Sequence, residues 1–183
     1  EKGKEYASYV EKALKEADVV LVLGGSSIGS KDFTLKAIEE TENSKLIANG
    51  IAMRPGRQTL ISVIDDKAVI GLPGHPVSCL TSFLVFVKPV LIHMGGDNRS
   101  FWQDIKDNVK INAVLSKDVE SPKNREDYVR VRLKKLPNGR ISAYPYAGKS
   151  SLLTTMVKAH GIIKLGVDCP RLYEGDRVEV ILF

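Results

Sequence analysis

Residues 18–30 read DVVLVLGGSSIGS: five apolar residues in unbroken succession, then a turn of glycines and serines. A short run without polar alternation suits a strand buried on both faces, as parallel sheets require. Upstream, Lys4 to Ala17 carries Tyr6, Tyr9, Val10, Ala13 and Leu14 on a helical period with charges between them. Downstream, a second helix is expected from about Asp32 to Glu40. Helix, buried strand, glycine turn and helix is the rhythm of an α/β sheet.

Further along, 45–51, 58–64 and 68–72 read as strands, the last two joined by a turn at Asp65-Asp66-Lys67. Residues 71–79, GLPGHPVSC, then open an apolar helix over 77–94, in which Pro89 is expected to produce a kink. The glycine-rich polar stretch 95–102 is the best domain boundary. Beyond it, 109–115, 128–133, 141–144 and 177–182 alternate apolar and polar residues, as half-buried antiparallel strands do. Asn138-Gly139 marks a hairpin between two of them, and 151–160 reads as a short helical insert. The expected fold is α/β: a partial open α/β/α sheet domain over 1–98, then a small all-β barrel or sandwich over 106–183. The chain opens with Glu1 and a helix, where an open α/β domain normally starts with strand–helix–strand units. It therefore reads as the back end of a longer protein, with the N-terminal part of the first domain missing.

Composition bounds the function classes. With 183 residues, 43% hydrophobic and 27% charged, the chain can bury a core and is neither a disordered tail nor a membrane protein. The longest apolar stretch, Leu80 to Met94, is interrupted by Lys88, Pro89 and His93 and reads as too short for a bilayer span. No secretory signal opens the chain. Cys79 and Cys169 are far apart, which argues against a disulfide framework or a zinc site and for a reducing, cytoplasmic compartment. Residues 1–105 carry 12 Lys+Arg against 13 Asp+Glu; residues 106–183 carry 15 against 9. That basic second half fits either an anionic partner or a solvated β surface with guarded edges. Its aromatics form no stacking series, which weakens a nucleic-acid reading.

Three motifs could carry chemistry. In Gly24-Gly25-Ser26-Ser27-Ile28-Gly29, glycines let backbone N–H groups approach an anion at a helix N-terminus, although a tight strand–helix turn needs glycine anyway. Asp32, where the helix begins, either caps it or binds Mg²⁺ beside a phosphate. Arg54 and Arg57 flank Pro55-Gly56; two planar forks on a rigid turn suit phosphate or molybdate, and solvated turn arginines are the alternative. In GLPGHPVS, Pro73, Gly74 and Pro76 fix the turn, Pro76 lies in the first helical turn, and Ser78 can reach back to cap. His75 has no carboxylate, cysteine or second histidine near it in sequence, so a structural histidine is favoured over a base or a ligand. The turn would hold a row of backbone donors toward an anion.

Taken together, GGSSIGSKDF, GIAMRPGR and GLPGHPVSCLTSF, with the closing GDRVEVILF, resemble the molybdopterin molybdenumtransferase family, which includes MoeA and the E domain of gephyrin. The resemblance covers nearly the whole chain. It implies insertion of molybdate into adenylylated molybdopterin, giving molybdenum cofactor and AMP, with Mg²⁺ as helper. By position, Gly24, Gly25, Ser27 and Gly29 would line the pterin-phosphate site. Asp32 matches the functionally important aspartate, and Arg54 stands where the family usually has lysine. Pro73 and Pro76 match the two prolines of the third motif. Ser150 or Ser151 falls, on a loose alignment, where the C-terminal domain offers a serine. Ser26, Phe33, Gly50, His75 and Gln58 depart from the pattern; because His75 replaces an asparagine, it is not an indispensable acid or base.

The resemblance also implies a homodimer with composite sites. The expected partners are thus the pterin substrate, the oxyanion and a second copy, with no membrane and no nucleic acid. The alternative function is a non-catalytic pterin-binding or scaffolding module. By itself the chain is expected to bind anion or pterin weakly and not to turn over.

Overall fold

The structure is a computed structural model that describes residues 2–24, 33–96, 110–146 and 153–183. These form two compact units, one of Glu1–Ile51 with Gly56–Phe83, the other of Ala52–Pro55 with Leu84–Phe183.

In the first unit, helix α1 (Lys2–Glu16) leads into β1 (Val19–Leu23), and α2 (Phe33–Glu40) precedes β2 (Ser44–Asn49). Strands β4 (Leu60–Ile64) and β5 (Lys67–Leu72) complete a sheet of order β1-β5-β4-β2. Only β1–β5 is parallel; the β5–β4 and β4–β2 pairs are antiparallel. The β4–β5 hairpin turns through Asp65 and Asp66, both at positive φ, which short polar side chains tolerate. Val10 and Leu14 of α1 and Ile38 of α2 close a core with Val20, Leu60, Ile64 and Val69. The expectation that β1 is buried throughout needs correction: Val20 is buried, but Leu23 is 70% exposed. β1 is an end strand of the described sheet, so its far edge has no covering strand there.

The helical run Pro76–Met94 comprises α3 (Pro76–Ser82), a π-helical segment (Phe83–Val87) and α4 (Lys88–Met94). The disturbance expected at Pro89 takes the form of that π segment. It ends just ahead of the proline and leaves it in the first turn of α4, where a missing N–H is tolerated. The run is also longer than the sequence suggested. Its 19 residues and mean hydropathy of 1.8 pass the length and composition test for a membrane span, and 28% of that window is buried.

The second unit holds β3 (Met53–Arg54), β6 (Lys110–Leu115), β7 (Val119–Glu120), β8 (Glu126–Lys135) and β9 (Ile141–Pro145). After these come α5 (Leu153–Lys158), β10 (Gly161–Leu165), β11 (Arg171–Leu172) and β12 (Arg177–Leu182). Strand order β10-β12-β6-β9-β8 closes on itself through a β10–β8 pairing, giving a five-stranded barrel; β3 joins β8 as a sixth strand outside the closure. The β6–β9 pair is parallel, against the all-antiparallel expectation, and so is β3–β8. The hairpin between β8 and β9 is the one Asn138-Gly139 foretold, with Gly139 at φ +79. Ala113, Leu115, Val131, Ala143, Ile163, Leu165, Val178 and Val180 fill the interior.

Barrel closure fixes one residue type. Gly161 pairs with Leu182 on one side and Val131 on the other. A Cβ there would overlap the Ile181 carbonyl oxygen and approach Val180 Cγ1 to 2.9 Å. Gly161→Ala should therefore lower stability by about 1–3 kcal/mol in urea unfolding. Gly166→Ala, with open space around it, should show no comparable loss. Equal midpoints for the two variants would place the closure elsewhere.

Candidate functional site

In the first unit, the parallel register Val19↔Ala68 to Leu23↔Leu72 brings the C-terminal ends of β1 and β5 level. The glycine turn begins at the residue after β1, and the Pro-Gly turn begins at the residue after β5. The Gly24 N–H donates to the Leu72 carbonyl at 3.0 Å, one step beyond the ladder. A Cβ on Gly74 would lie 3.7 Å from Gly24 Cα, so the two motifs, about fifty residues apart in sequence, are in contact distance. Gly24 has φ +76, a conformation that favours glycine. Its carbonyl accepts from Thr34 Oγ1 at 3.2 Å, which ties the start of α2 to the turn. Crevices outside the carboxyl ends of strands are where open α/β sheets bind ligands.

Pro73 is buried under this turn, and Gly74, His75 and Pro76 are exposed above it. His75 is the N-cap of α3 and makes no side-chain cap bond; Pro76 follows in the first turn. The capping role expected of Ser78 is not seen: its side chain is buried, and no capping bond from it occurs among the described residues. Cys79 is half-buried, and burial pushes its thiol up, away from the reactive thiolate. The helix is held from its other side by Thr59, whose hydroxyl donates to the Gly56 carbonyl at 2.7 Å and shares a 2.6 Å hydrogen bond with Ser82. Arg57 is exposed on that same loop, where its carbonyl accepts from the Ile51 N–H at 2.9 Å.

Arg54 and Arg57, either side of Pro55-Gly56, fall in different units. Arg54 lies on β3 and belongs with the barrel, because Met53 and Arg54 pair in parallel with Glu126 and Asp127 of β8. There it lines a cavity of ≈ 380 Å³ with Lys117, Asp127, Tyr128, Arg130 and Tyr146. Arg130 is the residue that sequence reasoning missed. It is 6% exposed, and its Nε is buried without a hydrogen-bond partner. Burial, and then the positive charge of Arg54, push its guanidinium below the usual range. An arginine stays ionised under such a shift, so Arg54, Lys117 and Arg130 put three cations on one cavity, with Arg130 desolvated and its Nε unpaired. The only signal in the sequence was an arginine in mid-strand, in a pattern that read as outward-facing.

Several neighbouring groups are paired. Asp127 accepts two bonds from Arg125, at 2.8 and 3.2 Å. Tyr128 donates to Glu126 at 2.9 Å, and Glu126 also pairs with Lys164 at 2.6 Å. Burial, then that acidic acceptor, raise the Tyr128 phenol, which keeps it a proton donor. Gly25, Ser27, Gly29, Asp32, Ser150 and Ser151 lie outside the described residues. Among the described residues no group of three His, Cys, Asp or Glu side chains could hold a metal ion, so Mg²⁺ has no ligand set there.

Residues 2–93 match the family model described as a probable molybdopterin binding domain, and residues 112–183 match that of the MoeA C-terminal region, domain IV. The chain belongs to the MoeA family. Molybdopterin molybdenumtransferase of Bacillus subtilis (strain 168) is 32% identical over 185 residues, spanning 100% of this chain and 40% of that protein. The protein of the same name from Staphylococcus aureus (strain COL) is 30% identical over 173 residues, spanning 94% and 40%. The crystal structure of the molybdopterin biosynthesis MoeA protein from Pyrococcus horikosii superimposes with a TM-score of 0.73 at 34% identity. It covers 96% of this chain and 40% of that one. The chain thus spans about 40% of the length of these MoeA relatives.

The buried guanidinium yields a stability prediction. An unpaired desolvated charge weakens a fold, and an apolar residue of similar length removes the penalty. Arg130→Met should raise stability by about 1–2 kcal/mol in urea unfolding. A loss of stability would mean that the fold, not a ligand, holds Arg130.

Proposed function

We propose that this chain acts in molybdenum cofactor biosynthesis, in the insertion of molybdate into adenylylated molybdopterin with release of AMP. The observation that carries the reading is the contact of two glycine turns, at Gly24 and Gly74, beyond adjacent parallel strands of a molybdopterin-binding domain. Such turns present backbone N–H groups to a phosphate without obstructing side chains. Gly24, Gly25, Ser27 and Gly29 are assigned to that phosphate, with Pro73, Gly74, Pro76 and Ser78 shaping the opposite turn. Arg54 and Arg130, with Arg57, Ser150 and Ser151, are assigned to oxyanions.

No protein nucleophile is required. The chain's residues hold the pterin and present the dianion, and its cations offset the charge that grows on AMP as its phosphoanhydride bond breaks. Mg²⁺ belongs to this reading only through the motif position of Asp32. A homodimer is proposed on the exposed apolar side chains Leu80, Leu91 and Met94 of the Pro76–Met94 helix, and a cytoplasmic location on the class of biosynthesis.

Binding of adenylylated molybdopterin, followed by quenching of pterin fluorescence, tests the assignment. Gly74→Val puts a branched side chain against Gly24 on an exposed turn; it should weaken binding by about tenfold or more with little change in melting temperature. Undiminished binding would remove the two turns from the pterin site. AMP release on adding molybdate and Mg²⁺ separates enzyme from scaffold: pterin binding without AMP, at any chain length, supports the scaffolding module.

The oxyanion half has its own test. Arg54→Gln should weaken molybdate binding by about 1.5–3 kcal/mol in calorimetry, the usual worth of a charge-assisted bond. An unchanged affinity returns Arg54 to the solvated surface.

A further inference from the structure

β8 places a carboxylate against the same cavity as the two arginines. Asp127 stands directly across from Arg54 in the β3–β8 register, is buried, and lines the cavity with Arg54 and Arg130. Free, that carboxylate would be available to the Arg54 guanidinium across from it and would close on it as an internal ion pair. Instead it is engaged from elsewhere. Arg125 reaches Oδ1 through Nε at 2.8 Å and Oδ2 through a terminal nitrogen at 3.2 Å, a two-pronged pair. Arg125 does not line the cavity. Among the described residues Asp127 has no other ion pair, and neither Arg54 nor Arg130 has any.

We propose that Arg125 is a positioning residue for anion binding: by holding Asp127 it keeps Arg54 and Arg130 available to an incoming tetrahedral oxyanion. This rests on the reading above that the cavity takes the oxyanion. Counting Arg125 and Arg171, which hold Asp127 and Asp118, with the lining Arg54, Lys117, Arg130 and Glu120, five cations stand against three carboxylates, an excess of two positive charges that a dianion neutralises. Without Arg125 the Asp127 carboxylate would turn to the remaining arginines, and the dianion would have to displace it. The pair therefore acts by removing an internal competitor and touches no substrate itself.

The prediction separates from a structural role through a double-variant cycle. Molybdate is titrated calorimetrically into the full chain and into Arg125→Gln, Asp127→Asn, the double variant and Arg130→Gln, with a thermal melt for each. Arg125→Gln should bind about tenfold more weakly, and the double variant should return to within about threefold of wild type, because the competitor is gone as well. Asp127→Asn alone should bind at least as tightly as wild type. Should Arg125→Gln fail to fold, Arg125→Lys, which keeps the charge without the fork, should show a smaller loss that Asp127→Asn again repairs. An unchanged affinity in Arg125→Gln, or a loss that Asp127→Asn does not repair, overturns the role of Arg125 while Arg130→Gln still abolishes binding. Molybdate bound equally well by Arg130→Gln, or not at all by wild type, overturns the oxyanion cavity itself and this role with it.

Discussion

The parallel pairing of β1 with β5 is the constraint on which the first unit depends. Its five-residue register sets two strand ends level, and the extra bond from Gly24 to the Leu72 carbonyl carries the alignment into the turns. A slip of one residue would turn Val20 and Val69 out of the core and separate the glycine motifs. Gly71 protects this register from within the strand. A Cβ there would meet Thr34 Cγ2 at 3.1 Å and Leu60 Cβ at 3.2 Å, forcing α2 or β4 away. Thr34 is also the residue that bonds the Gly24 carbonyl, so helix packing and turn geometry are one constraint.

The second unit solves a different problem. The barrel interior is filled by small and branched apolar residues, and the cavity lined by Arg54 and Arg130 lies where β3 is added to β8. The addition brings in Arg54 from more than fifty residues before the barrel's first strand. It does so by backbone pairing alone, with Met53 buried beside it as an anchor. The result is an exposed Arg54 beside a desolvated Arg130. Like charges at close range, one of them desolvated, weaken a fold unless an anion offsets them.

Much of this was legible in the sequence where the determinants are local. The hairpin at Asn138-Gly139, the Asp65-Asp66 turn and the helix beginning at Pro76 each follow from residues that fix their own backbone angles. The α/β unit and the β barrel followed from hydrophobic period. What was not legible is long-range. β3 is only two residues long and has no pattern of its own; it exists because β8 offers an edge. Barrel closure through β10 depends on partners on either side of Gly161, one of them thirty residues before it. Arg130 was hidden for a related reason. Alternation of the kind in YVRVRL reports a half-buried strand, whereas from Asp127 to Val131 β8 is covered on both faces.

The excess of basic residues in the second half takes on a specific meaning in this light. Lys110, Arg125, Lys164 and Arg171 are each paired with a carboxylate, at 2.6 to 2.9 Å. Such pairs, mostly at the surface, add little stability, but each removes a free charge of either sign from its neighbourhood. Around the cavity this local neutralisation matters more than the total. Asp118 is held by the Glu174 N–H and by Arg171, which keep its carboxyl below the usual range, and Asp127 is held by Arg125. Of the three acids lining the cavity, Asp118 and Asp127 are thus held, Glu120 has no ion pair among the described residues, and the Arg130 Nε has no hydrogen-bond partner. A net charge summed over the sequence cannot distinguish that arrangement from an evenly basic surface. An open basic surface attracts any polyanion, whereas a desolvated guanidinium beside two paired acids favours an oxyanion small enough to reach it.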